Sequence, residues 1–199
     1  PIFNPDQIPT LADVDSDKTF EVCPHVLGAR NLNSPSYSPL TGLYYMGLNN
    51  ACMDVNFVSE EPGGRYAGMR SSRVRMVPGY DYVGEFVAFD PITGERAWEY
   101  RLPSGAAMTA AALATAGGVV FGGAADRRFF ALDADTGALL WQMRLNGDIS
   151  GAPVTFEVGG TQYVAVGAGG RIAATTSYAR LTGEDIPPGS GVIWVFALP

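Results

Sequence analysis

The sequence predicts an all-β protein, an arc of about three four-stranded β-propeller blades. Three observations carry that reading: a repeated eleven-residue pattern, glycine-centred hairpin turns, and an excess of glycine. Ala88-Phe89-Asp90-Pro91-Ile92-Thr93-Gly94-Glu95-Arg96-Ala97-Trp98 aligns without gaps on Ala131-Leu132-Asp133-Ala134-Asp135-Thr136-Gly137-Ala138-Leu139-Leu140-Trp141, and both read A-x-D-x-x-T-G-x-x-x-W. The offset from Ala88 to Ala131 is 43 residues, which lies in the range of four-stranded propeller blades. Glycine accounts for 25 of 199 residues, above the usual share of about 7%, and favours tight turns over helices.

The elements follow in order. Ser38-Pro39-Leu40-Thr41-Gly42 is a turn leading into the apolar run Leu43-Tyr44-Tyr45-Met46. Ala114-Thr115-Ala116-Gly117-Gly118 joins two apolar runs, and Phe156-Glu157-Val158-Gly159-Gly160-Thr161-Gln162 does the same. β-rich runs separated by such turns are hairpins. A third strand is expected after each hairpin, over 85–90, 128–133 and 192–198, and a fourth over 97–102 and 140–145. The resulting division is a leading loop over 1–30 and units over 31–102, 103–145 and 146–199. Long loops interrupt the first unit at 54–83 and the last at 171–190, and loops of that length in a compact β-fold are often functional.

Residues that recur once per blade serve the blade. Asp90 and Asp133 therefore read as caps of the turn between third and fourth strands, with Gly94 and Gly137 in the left-handed position. Trp98 and Trp141 read as packing between neighbouring blades. Three blades cannot close a ring, and an open arc exposes strand edges and apolar faces. The remaining blades are expected from the same polypeptide or from a partner chain.

Composition narrows the function classes. The net charge is −7 with a pI of 4.6, and an acidic surface repels a phosphate backbone, which argues against a nucleic-acid partner. No apolar run approaches the roughly 18 residues of a membrane span. The first residues carry no signal-peptide pattern, and a start on Pro1 implies a chain processed or cut from a longer one. The lone His25 has no second histidine with which to build a zinc site. Cys23 and Cys52 read either as two buried thiols or as one bridge, and spacing alone leaves both open.

Two segments are more specific. Cys23-Pro24-His25-Val26-Leu27-Gly28-Ala29-Arg30-Asn31-Leu32-Asn33-Ser34-Pro35-Ser36-Tyr37-Ser38-Pro39 is followed by Gly47-Leu48-Asn49-Asn50-Ala51-Cys52-Met53-Asp54. They resemble the C-P-x-x-x-G-x-x-N-x-N…S-Y-x-P and G-L-N-x-x-C-M-D segments of methanol and ethanol dehydrogenases, quinoproteins that use pyrroloquinoline quinone (PQQ). The ending from Gly191 to Pro199 is similar to that of the ethanol enzymes. The resemblance runs over nearly the whole chain and implies the C-terminal part of an eight-bladed, PQQ-dependent alcohol dehydrogenase.

That resemblance implies several roles. It pairs Cys23 with Cys52 as a disulfide and with it implies a periplasmic location. It makes Asn31 a cofactor contact, which suits an amide that both donates and accepts; otherwise Asn31 reads as a turn former. Val166-Gly167-Ala168-Gly169-Gly170-Arg171 is similar to the stretch whose main chain approaches the quinone, which points to Gly170 and Arg171. A cation there faces a tricarboxylated cofactor, and a solvated loop arginine is the other reading. Met108-Thr109-Ala110-Ala111 stands where the family has Trp in W-x-G or W-G-G, so Thr109 takes the place of a cofactor-site residue. This departure predicts a divergent member rather than a methanol oxidiser.

The family's catalytic Asp and its Glu and Asn metal ligands lie in earlier blades. No residue of this chain is therefore assigned as catalytic or metal-binding, and the Ca2+ or lanthanide ion is expected on residues outside it. A small alcohol as substrate and a periplasmic acceptor such as a cytochrome c are the implied partners. The competing reading is a non-enzymatic scaffold propeller, like the outer-membrane assembly lipoproteins that share the tryptophan repeat.

Overall fold

The computed structural model describes residues 13, 15, 17–25, 28–31, 33–59, 67–170, 173–183 and 190–197, without the side chains of 59, 67, 69–72 and 173–176. Much of the leading loop, the tip of the 54–83 segment and parts of the 171–190 segment lie outside the described residues. The strands in chain order are β1 (Phe20–Val22), β2 (Ser36–Tyr37), β3 (Tyr44–Asn49), β4 (Ala51–Ser59), β5 (Ala67–Met76), β6 (Gly84–Phe89) and β7 (Arg96–Tyr100). They continue with β8 (Leu113–Ala114), β9 (Val119–Gly123), β10 (Arg128–Asp133), β11 (Leu139–Arg144), β12 (Val154–Val158) and β13 (Thr161–Ala168). One helix, α1 (Ala173–Thr182), precedes β14 (Val192–Ala197).

These strands form antiparallel sheets in the orders β2-β3-β6-β7, β8-β9-β10-β11 and β12-β13-β14, with a separate sheet β1-β4-β5. The hairpins fall on the turns read from the sequence. Gly42, Gly118, Gly159 and Gly160 sit at positive φ between paired strands, a conformation that costs glycine least. Two segments read as loops are ordered instead. The 54–83 segment carries most of the β4–β5 hairpin, and the 171–190 segment carries α1.

Successive sheets pack face to face, as propeller blades do. Tyr45, Phe86 and Trp98 of the first sheet bury against Val120, Phe130 and Leu132 of the second. Phe121 and Phe129 of the second bury against Val164 and Val166 of the third. Each such side chain removed from water contributes roughly 1.5–3 kcal/mol.

The repeated motif explains the joint between the first two sheets. Asp90 Oδ1 accepts from the backbone N–H of Ile92 at 2.7 Å, and Asp133 Oδ1 from that of Thr136 at 2.9 Å and from its hydroxyl at 2.8 Å. These hydrogen bonds hold the Asp133 carboxyl below its usual pKa of 3.8. The indole N–H of Trp98 donates to the Ala134 carbonyl at 3.0 Å. Its ring lies over Gly137, where a Cβ would fall 2.6 Å from the Trp98 ring. The motif of one sheet thus docks on the same motif of the next.

The third sheet is different. It has three strands among the described residues, and β11 beside it is exposed along its length. Phe156 (42%), Ile193 (76%) and Val195 (53%) expose apolar surface on the far side of this sheet. Trp141, the counterpart of Trp98, stays 38% exposed and rests edge-on against Phe196.

Candidate cofactor cleft

A chain of hydrogen bonds fixes one end of the three sheets as a single rim. Asn49, at the end of β3, donates its backbone N–H to the Ala29 carbonyl at 2.6 Å, beside Asn31. Its side chain reaches Met108, accepting from the backbone N–H at 2.7 Å and donating to the carbonyl at 2.9 Å. Thr109 donates its hydroxyl to the Ile149 carbonyl at 2.9 Å. Gly169 closes the series by donating its backbone N–H to the Asp148 carbonyl at 2.9 Å. Asn31, the Met108–Thr109 segment and the Gly169–Gly170 turn therefore share one end of the fold.

The residues singled out from the sequence fare differently in this setting. Asn31 is exposed, and among the described residues no hydrogen bond engages its side-chain amide. Gly170 has φ +81° and open space where a Cβ would point, whereas a Cβ on Gly169 would strike the Ser190 carbonyl. An exposed amide at Asn31 and a bare glycine backbone at Gly170 are each suited to a ligand bearing carbonyls and carboxylates. Thr109 is 9% exposed, and its hydroxyl is committed to the seam between the second and third sheets. Arg171 lies outside the described residues.

Close backbone approach shapes the rim beneath the turn. A Cβ on Gly147 would fall 2.7 Å from the Gly169 Cα, and one on Gly151 would fall 3.2 Å from the Gly167 carbonyl. The glycines of this stretch are thus spacers that let two main chains touch.

Cys23 and Cys52 are bridged, with Cα atoms 4.4 Å apart. The bridge joins the segment before Asn31 to β4. Arg75 of β5 lies beside it, 2.8 Å from both Glu21 and Asp54. Among the described residues one group of metal-donor side chains gathers, Glu21 with Cys23 and Cys52. The bridge removes both thiolates as ligands.

Two features escaped the sequence reading. His25 is buried, and its Nδ1 lies 3.3 Å from the Tyr178 hydroxyl of α1. Burial lowers the His25 pKa and raises that of Tyr178, because both rings lose water that would solvate their charged forms. Helix α1 follows the Gly169–Gly170 turn and packs Tyr178 and Ala179 against Ala51, Val83, Ala107 and Ala125. It thereby ties the third unit back over the first two. Asn49 is the second such feature; it stood inside a quoted motif, but its partner is 59 residues away.

Face-to-face blades, a tryptophan-docking motif and a bridged segment leading to a free amide define a quinoprotein-type propeller. The comparisons with known proteins agree. A profile of the PQQ family described as glucose/ethanol/alcohol dehydrogenase, β-propeller domain, matches residues 100–164. A quinoprotein ethanol dehydrogenase of Pseudomonas aeruginosa is 38% identical over 92% of this chain and 29% of its own length. A lanthanide-dependent methanol dehydrogenase of Methylacidiphilum fumariolicum is 34% identical over 96% of this chain and 32% of its own. Among solved structures, a europium-containing methanol dehydrogenase superimposes with a TM-score of 0.75 at 30% identity, over 92% of this chain and 35% of its own. The chain belongs to the PQQ-dependent quinoprotein alcohol dehydrogenase family. It spans about a third of the length of the curated relatives it matches.

Proposed function

We propose that this chain is the C-terminal portion of a periplasmic, PQQ-dependent dehydrogenase that oxidises an alcohol by hydride transfer to the quinone. The observation that carries the reading is the Cys23-to-Asp54 segment. Folded, it presents the unengaged Asn31 amide on the same rim as the Gly169–Gly170 turn. Asn31, Thr109, Gly170 and Arg171 are the residues proposed to line the cofactor site. The Thr109 hydroxyl is held by the Ile149 carbonyl and its N–H by the Gly123 carbonyl, so position 109 serves as a wall of the site rather than as a hydrogen-bond donor to it. The units over 31–102, 103–145 and 146–199 are proposed as three blades of an eight-bladed ring, led in by residues 1–30.

The chemistry of the bound group is that of a quinone accepting two electrons beside a Lewis-acidic ion. The ion, Ca2+ or a lanthanide, and the catalytic base are assigned to blades outside this chain. Relatives include a methanol dehydrogenase named for cytochrome c, which supports a periplasmic cytochrome as electron acceptor. Thr109 in place of a family Trp favours an alcohol other than methanol as substrate.

The test uses the full-length polypeptide prepared free of cofactor. Titration with PQQ in the presence of Ca2+ or a lanthanide, followed by absorbance, is expected to show saturable binding. Alcohol-dependent reduction of an artificial dye should then appear only when both are present. Absence of PQQ uptake with either ion would sink the reading, and capture of partner proteins without redox activity would favour a scaffold.

A further inference from the structure

We propose that Asn49 is a positioning residue of the cofactor cleft, holding the Met108–Thr109 segment at a fixed spacing from the Asn31 segment. The inference rests on the PQQ reading above. It begins with an unmet need of the backbone. Met108 bridges Ala124, the residue that follows β9, but the hydrogen bonds of that bridge belong to its neighbours. Ala125 N–H donates to the Ala107 carbonyl at 2.9 Å, and Thr109 N–H to the Gly123 carbonyl at 3.0 Å. Met108's own N–H and carbonyl therefore point the other way, toward the first sheet. Met108 is fully buried, and unpaired polar groups there cost the full penalty of lost hydration.

The Asn49 amide meets both groups at once. Its Oδ1 accepts from Met108 N–H at 2.7 Å and its Nδ2 donates to the Met108 carbonyl at 2.9 Å, so the side chain stands in for a strand peptide. The same residue's N–H donates to the Ala29 carbonyl at 2.6 Å. One residue thus spans from two positions before Asn31 to one position before Thr109. Asn33 adds a longer bond, its Nδ2 lying 3.4 Å from the same Met108 carbonyl. Beneath the pair, a Cβ on Gly47 would fall 2.6 Å from the Met108 Cβ, so the two segments are already in contact and slide little. Only an amide both donates and accepts at this length. Aspartate at 49 would set oxygen against the Met108 carbonyl.

The experiment compares Asn49→Ser and Asn49→Asp with Asn50→Ser in the full-length apoprotein. Asn50 is a matched control, because its Nδ2 bonds Glu85 of β6 at 3.2 Å rather than Met108. The readouts are PQQ affinity by absorbance titration with Ca2+ or a lanthanide, melting temperature, and hydrogen–deuterium exchange of residues 103–112. Both Asn49 variants are expected to bind PQQ about tenfold or more weakly and to exchange faster across 103–112, the scale of two lost hydrogen bonds. Asn50→Ser should stay within about twofold of the unsubstituted protein in affinity, even at a similar loss of melting temperature. Should the Asn49 variants fail to fold, Asn33→Ser, which removes only the longest bond, is expected to weaken PQQ binding about threefold.

Unchanged affinity in folded Asn49 variants overturns the proposal. So does an equal loss in Asn50→Ser, which would mean general destabilisation, or unchanged affinity in Asn33→Ser where it alone folds. If the unsubstituted protein takes up no PQQ, the functional reading fails first and this one with it.

Discussion

Trp98 and Gly137 form one joint, and each makes sense only through the other. The indole needs a carbonyl for its N–H, found at Ala134, and a flat seat for its ring, found where Gly137 has no Cβ. Trp98→Ala is expected to cost about 3–5 kcal/mol, as large core truncations do. Gly137→Ala should cost about 1–3 kcal/mol, since a methyl would meet the ring and φ is +72°. Urea denaturation of the full-length protein measures both, and near-additive losses in the double variant would argue against a shared joint. Asp133 adds a pH dependence. Its carboxyl pKa is lowered in the folded state by the Thr136 hydroxyl and backbone hydrogen bonds. A lowered carboxylate pKa contributes stability above the unfolded value near 3.8, lost as pH falls through the folded one. Against Asp133→Asn, which keeps an acceptor without the charge, the wild type should melt higher at neutral pH. That advantage should shrink in acid, and an advantage constant with pH would contradict this account.

At the scale of elements, the hairpins were legible because their cause is local: β-rich runs on either side of a glycine turn. Helix α1 was not. Its sequence, AATTSYARLT, mixes the strong helix formers Ala, Arg and Leu with the weaker Thr, Ser and Tyr, and its register is set by Tyr178 and Ala179 burying on residues from both other units. The β4–β5 hairpin has no counterpart in the repeat, although Met53 to Phe57 alternates apolar and polar residues as a strand does. The disulfide anchors that hairpin to the segment ahead of Asn31 across a separation of 29 residues. Replacing both cysteines by serine is expected to cost about 3–4 kcal/mol, mainly by freeing the unfolded chain. Thermal melting with and without reductant checks this: reductant should bring the wild type down to the variant and leave the variant unmoved.

Over the whole molecule, the arc is well packed inside and open at its third sheet. The first two joints bury aromatic clusters, while β11 and the far face of the third sheet present apolar side chains outward. Exposed edges and apolar faces of this kind are places where more structure docks, which agrees with a chain spanning a third of its relatives. By itself the sequence determined the all-β class, the blade repeat, the turn-capping aspartates and the family, because these rest on short-range pattern. It also implied the Cys23–Cys52 pairing through that family. Only the tertiary structure decided that the Thr109 hydroxyl serves the sheet seam, that α1 crosses back to pair Tyr178 with His25, and that Asn49 completes the Met108 backbone. Those outcomes join residues 40 to 153 positions apart. Hydrogen-bond partners at such distances follow from how buried backbone groups are satisfied once the sheets have packed.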